Sequence, residues 1–253
     1  MIFPEPSEWL VLAAVLSFGI FVQSAAGFAA GLLIVPALLW TGFSIPEAQV
    51  SLLVATIPQN FWGVYQFREQ IEPRKIAGPA ILRLLFLPVG MSLLVTMETL
   101  PTGLLRQTVG GILLLITSMI IVLRPIPKER LHFGWGLLAF SASGFLQGLV
   151  GMGGPAMVLW VQAHRWDTKQ SRGFLFSMYL ISLAPAIASL WFFFGSRIIG
   201  PGLTAAILIP LLLAVTSLGL RAGTWLGRER LRNLTLALLV LVGLAGLLSP
   251  ILR

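Results

Sequence analysis

Among its 253 residues the chain has no cysteine, two histidines and nine acidic residues. Without cysteine there is no disulfide, no thiol redox chemistry and no thiolate metal site. All nine Asp and Glu fall in polar loops or at the ends of apolar runs, and His132 and His164 also sit in loops. A membrane-embedded carboxylate or histidine relay, the usual basis of tight proton coupling, is therefore absent from the pattern. No HExxH or other metal cluster occurs, and no cofactor motif is present. Gly151-x-Gly153 lacks the βαβ surroundings of a nucleotide loop. Ser141-Ala-Ser143-Gly has no later in-span histidine to act as base, so an enzyme is not expected. No polar stretch runs much beyond about ten residues, which leaves no room for a soluble domain.

What is present is apolar. The composition is 57% hydrophobic and 10% charged, the signature of a polytopic membrane protein whose partner is the lipid bilayer. A net charge of +8 would suggest nucleic acid in a soluble protein. Here the basic residues sit in short loops between apolar runs and mark no single face, so no nucleic acid is expected. The opening MIFPEPSE is acidic rather than basic, unlike a cleavable signal peptide.

The most informative stretch is Ser143 to Trp160, where an apolar run meets Gly151-Met-Gly-Gly-Pro155 and then only about ten further apolar residues follow. Glycines at that depth expose backbone that lipid cannot satisfy, unless it is packed in protein or lines a cavity. Pro155 suits the first turn of a new helix. The expected unit is a broken hairpin. Gln23-Ser-Ala-Ala-Gly27-Phe-Ala-Ala-Gly31 aligns with Gln147-Gly-Leu-Val-Gly151-Met-Gly-Gly-Pro155 without a gap, at an offset of about 124 residues. Paired interruptions in two halves point to a transporter's binding site.

The expected fold class is an all-α polytopic membrane protein of two inverted repeats, with eight to ten membrane segments. Residues 1–126 form the first repeat, with a hairpin at 9–41 and spans at 48–67, 76–97 and 104–123. Residues 127–253 form the second, with a hairpin at 133–163 and spans at 173–194, 201–220 and 233–251. Loops 68–75, 124–132, 164–172 and 221–232 each carry three or four Lys or Arg and are expected in the cytoplasm. Segments 1–8, 42–47 and 98–102 carry Glu without Lys or Arg and are expected outside, as are both termini. Three spans per repeat is an odd number, so the repeats come out inverted.

A short helix starting inside the membrane presents free N–H groups and the positive end of its dipole, which suits a small anionic substrate. Gly27, Gly31, Gly151, Gly153 and Gly154 would let a ligand approach the backbone, and Gln23 and Gln147 would donate amide hydrogen bonds. Helix packing is the competing use of the same glycines, and Gly27-xxx-Gly31 and Gly144-xxx-Gly148 fit it. Arg83 lies about 12 Å beyond Lys75 along its helix and needs a partner, a wet cavity or a substrate, unless it snorkels to the interface. Arg106 and Arg172 lie nearer helix ends and read as interfacial. Asn60 and Gln59 are the best polar candidates of the third span. Ser51 and Thr56, with Ser177, Tyr179 and Ser182 of its counterpart, either line the same cavity or bond between helices.

At the two breaks the sequence resembles the TauE/SafE family of membrane transporters, whose members are linked to export of sulfite and organosulfonates. Gly27-Phe-Ala-Ala-Gly31-Leu-Leu-Ile-Val-Pro36 follows that family's G-x-G-G-G-x(4)-P pattern, and Ser143-Gly-Phe, Gly148 and Gly151-Met-Gly-Gly-Pro155 match in the second half. The departure is Ala29-Ala30, where the family usually carries two glycines. The resemblance implies a multi-pass permease of the bacterial inner membrane for a small, often sulfur-containing anion. An inside-negative potential favours outward anion movement by about 2.3 kcal/mol per charge per 100 mV, so export by alternating access is the expected mechanism. A passive anion channel and a non-transporting membrane scaffold are the alternatives, and a homodimer is left open.

Overall fold

The computed structural model describes residues 6–26, 29–123, 125–129, 131–226 and 228–248, and Gly27 of the first break lies outside them. Helix α1 covers Pro6–Ala26, α2 Ala30–Trp40, α3 Ile45–Gln66, α4 Pro73–Met97 and α5 Thr102–Val122. The order continues with α6 Phe133–Val150, α7 Gly154–Gln162, α8 Thr168–Phe194, α9 Ile199–Ile207, α10 Ile209–Leu226 and α11 Arg228–Leu248. No strand is present among the described residues.

Six stretches of the described residues are long and apolar enough to cross a membrane: Ser7–Ala25, Pro73–Met97, Thr102–Val122, Phe133–Val150, Thr168–Ile207 and Arg230–Leu248. The chain is an all-α polytopic membrane protein. The 40-residue stretch Thr168–Ile207 contains α8 and α9, and the chain turns between them at Gly195, whose φ is 57°. Helix α3 has the length but is more polar, with Gln49, Ser51, Thr56 and Asn60 all buried. Among the described helices three are too short to cross alone: α2 with 11 residues rises only about 16 Å, and α7 and α9 with nine each about 14 Å.

The expected single span at 201–220 is a correction. It is two helices, α9 and α10, separated at Leu208. Pro210 has no N–H to give the Ala206 carbonyl and its ring crowds that turn. Pro88 on α4 has no such effect, and α4 runs straight through it.

Side-chain contacts define two ends. At one end Gln170 Nε2 and Lys75 Nζ meet Glu72 at 3.0 and 2.8 Å, and the backbone of Lys128 bonds to Ala163 and Arg165 on either side of His164. The hydrogen bond from Lys75 holds the Glu72 carboxyl below its ordinary pKa. At the other end Arg197 meets Glu98 at 3.0 Å and Glu47 at 3.7 Å. Helix α3 runs from the Glu47 end towards the Arg68 end, and α8 runs the opposite way.

The helices pack in four principal pairs: α4 along α6, α5 along α11, α1 along α10 and α3 along α8. Glycine makes the first two pairs close. A methyl on Gly144 or Gly148 would run into the Arg83 or Leu87 carbonyl of α4, and one on Gly90 into the Phe145 carbonyl of α6. Gly110 meets Gly243 and Gly246 of α11 in the same manner. Without a water-driven hydrophobic effect between membrane helices, such backbone proximity is what dispersion needs. Arg106, read from the sequence as interfacial, donates to the Leu39 and Trp40 carbonyls at 3.3 and 3.1 Å and so closes the C-terminal end of α2. Gly148→Leu should destabilise the fold by about 3 kcal/mol, read as loss of melting temperature in detergent.

Candidate functional site

The second break is shaped by Gly151. Its φ of 70° closes α6 with Gly151 N–H on the Gln147 carbonyl at 3.0 Å and Met152 N–H on the Leu146 carbonyl at 3.2 Å. This paired pattern ends a helix through a left-handed residue, which glycine adopts without a Cβ clash. At the first break the left-handed residue is Ala29, at φ 92°, which begins α2 without a side-chain cap. The two breaks touch. A methyl on Gly31 would collide with the Gly151 carbonyl oxygen, and Gly151 itself sits against Val35 and Gln49.

Beside this crossing lies a cavity of about 410 Å³. Gln23, Gly31, Asn60, Arg83, Gln147, Gly151 and Gly154 all line it. Gly153 does not. It is tucked against α6, where its carbonyl accepts from Ser143 Oγ at 2.6 Å and a Cβ would strike the Ser143 carbonyl. Toward the Arg68 end the walls reach Gln66 and Arg172, both exposed. Toward the Arg197 end the lining stops at Leu52, Leu53 and Ala186. Beyond them Val50, Leu87, Met91, Leu190 and Ile198 pack into an apolar seal.

Arg83 dominates the electrostatics. It is 1% exposed and makes no ion pair among the described residues. Its Nε donates to Ser182 Oγ at 2.8 Å, Nη1 to Ser143 Oγ and to Met157 Sδ at 3.0 Å, and Nη2 to Gln147 Oε1 at 3.4 Å. The Tyr179 ring lies 5.9 Å from the guanidinium carbon. Every one of these partners is neutral. Snorkelling, the other reading of this arginine, does not occur. Across the cavity Gln23 Nε2 donates to Gln59 Oε1 at 3.3 Å, and the buried Asn60 Oδ1 has no partner.

A buried cation with no carboxylate, facing a cavity lined by neutral donors, can hold an anion. The family model for the sulfite exporter TauE/SafE matches residues 11–246. The chain belongs to that family. No curated protein and no solved structure matches it. Family membership makes the chain a multi-pass membrane transporter of a small anion, and the match takes in every residue that lines the cavity.

Sequence reasoning passed over three participants. Ser143 lies four residues before Gln147, one turn away on the same face of α6, and that spacing was the available signal. Met157 carried no signal, being one apolar residue among many. Arg172 lines the mouth of the cavity rather than only the interface. Ser51 and Ser177 bond back to the Glu47 and Gly173 carbonyls and lie outside the lining, and Ser51 also reaches the Pro201 carbonyl of α9 at 3.4 Å. Ala29 holds a conformation that costs a non-glycine residue about 1 kcal/mol or more. Ala29→Gly should therefore raise stability by about 1 kcal/mol, measured by thermal unfolding of the purified protein.

Proposed function

We propose that this family member exports a small, sulfur-containing anion such as sulfite or an organosulfonate, by alternating access around the cavity between the two breaks. The observation that carries the reading is Arg83, a buried guanidinium with neutral partners only, on the wall of that cavity. Gln23, Asn60, Gln147 and the first turns of α2 and α7 supply the neutral donors around it, with Gly31, Gly151 and Gly154 giving access to backbone. Gly153 holds the break together from behind.

The packing supports two inverted repeats, residues 1–126 and 127–253. Exchanging the halves turns α1 on α10 into α6 on α4, and maps α3 on α8 and α5 on α11 onto themselves. The opposed directions of α3 and α8 fit the same exchange. With the Arg68 end taken as cytoplasmic from its basic loops, the cavity faces inward and the Arg197 end is its closed outer side. That seal favours a carrier over an open channel.

Anion binding tests the site. Millimolar sulfite or methanesulfonate should raise the melting temperature of the purified protein, because a ligand that binds only the native state stabilises it. Arg83→Gln should weaken the apparent affinity about tenfold to a hundredfold, the loss expected for a charge-assisted hydrogen bond. An equal shift in a folded Arg83→Gln protein would remove Arg83 from the site.

The outer seal has its own test. Arg197, on the connection after α8, ties Glu47 at the start of α3 to Glu98 at the end of α4, and Glu47 also receives the Ser44 N–H at 2.8 Å. Because the chain has no cysteine, a single Val50→Cys reporter in the apolar seal can be labelled without background. Arg197→Gln should speed its modification by a membrane-impermeant maleimide from the Arg197 side several-fold. The double exchange Arg197→Glu with Glu98→Arg should slow it again. Equal labelling rates in all three proteins would count against a latch there.

A further inference from the structure

We infer that the cavity selects singly charged over doubly charged anions: hydrogensulfite or a sulfonate binds, while the sulfite dianion and sulfate are rejected. This rests on the transport reading above and narrows it to one charge state.

The argument is a count of charge. Among the lining residues only Arg83 and Arg172 are charged. Arg172 is exposed at the mouth, where water and salt screen it, whereas Arg83 is buried. One guanidinium neutralises one negative charge. A second negative charge in the same low-dielectric space has no counter-charge, and the desolvation penalty of an ion grows steeply with its charge.

The helix ends do not supply the missing positive charge. At each break the C-terminal end of one helix stands beside the N-terminal end of the next, α1 beside α2 and α6 beside α7. Their partial charges are opposite in sign and offset one another. The Gly151 carbonyl that faces Gly31 is one of these opposing dipoles. What the breaks add is oriented donors, not a second unit of charge.

The hydrogen bonding points the same way. Ser182, Ser143, Met157 and Gln147 already occupy most of the Arg83 N–H groups, which leaves one edge of Nη2 for a ligand. The other polar contacts on the wall are neutral: among them the side-chain amides of Gln23, Asn60 and Gln147, and the Tyr179 hydroxyl beside Gly154, while the unpartnered Asn60 oxygen can accept only from a protonated anion. Such a set suits oxygen atoms of modest charge density. Hydrogensulfite loses its last proton close to neutral pH, so alkalinity removes the bound form of sulfite but leaves a sulfonate unchanged.

The test is thermal stabilisation of the purified full chain by methanesulfonate, sulfite and sulfate, titrated at about pH 6 and about pH 8.5. Methanesulfonate should bind equally at both. Sulfite should weaken about tenfold or more at the higher pH, and sulfate should be at least about tenfold weaker than methanesulfonate throughout. Asn60→Lys, which adds a second buried cation, should raise the affinity for sulfate relative to methanesulfonate. Sulfate binding as well as methanesulfonate, sulfite tightening with pH, or an unchanged ratio in a folded Asn60→Lys protein would overturn the charge rule while leaving the anion site intact. No shift with any anion would overturn both.

Discussion

A single guanidinium, buried without a carboxylate, is the constraint on which the arrangement of the core depends. Arg83 is 1% exposed, and α6, α7 and α8 each bring a neutral acceptor to it: Ser143 and Gln147, Met157, and Ser182. Hydrogen bonds to neutral groups replace part of its hydration but cancel none of its charge. The unbalanced charge therefore persists as a field in the adjoining cavity.

The glycines decide how near this charge sits to the helix breaks. The three residues Gly90, Gly144 and Gly148 bring the backbones of α4 and α6 together along the stretch that carries Arg83 and Gln147. The left-handed turn at Gly151 then reverses the chain so that α7 starts beside the same cavity. Packing and lining the cavity are thus not competing uses of the glycines. Gly144 and Gly148 pack helices together, Gly31 and Gly151 pack closely and also line the cavity, and Gly153 anchors the turn through its carbonyl.

The two ends of the molecule are held by different chemistry. At one end a charged triad of Arg197, Glu47 and Glu98 joins three connections above a packed apolar layer. At the other, Gln170 and Lys75 meet Glu72 at the surface, and the cavity reaches exposed Gln66 and Arg172 nearby. Exposed pairs of that second kind contribute little to stability, while a partly buried network holds its elements more firmly. This difference agrees with a cavity sealed at one end and accessible from the other.

Much of this was legible in the residues alone. Long apolar runs with short basic loops require a helical membrane protein, because a lipid-exposed backbone must satisfy its own hydrogen bonds. The duplicated Gln-x-x-x-Gly pattern marked both breaks, and the depth of Arg83 along its run marked the cation. The tertiary structure alone decided the rest. Which neutral groups surround Arg83 depends on residues 60 to 99 positions away in the chain, a relation that no local pattern encodes. Whether a glycine packs or lines a cavity depends on what lies opposite its missing Cβ, and that is why Gly153 and Gly154, adjacent in sequence, face a helix and a cavity respectively. The split at Leu208 shows the same limit, since Pro210 interrupts its helix and the matching Pro88 does not. Local chemistry set the list of residues able to act, and packing between distant helices set which of them meet.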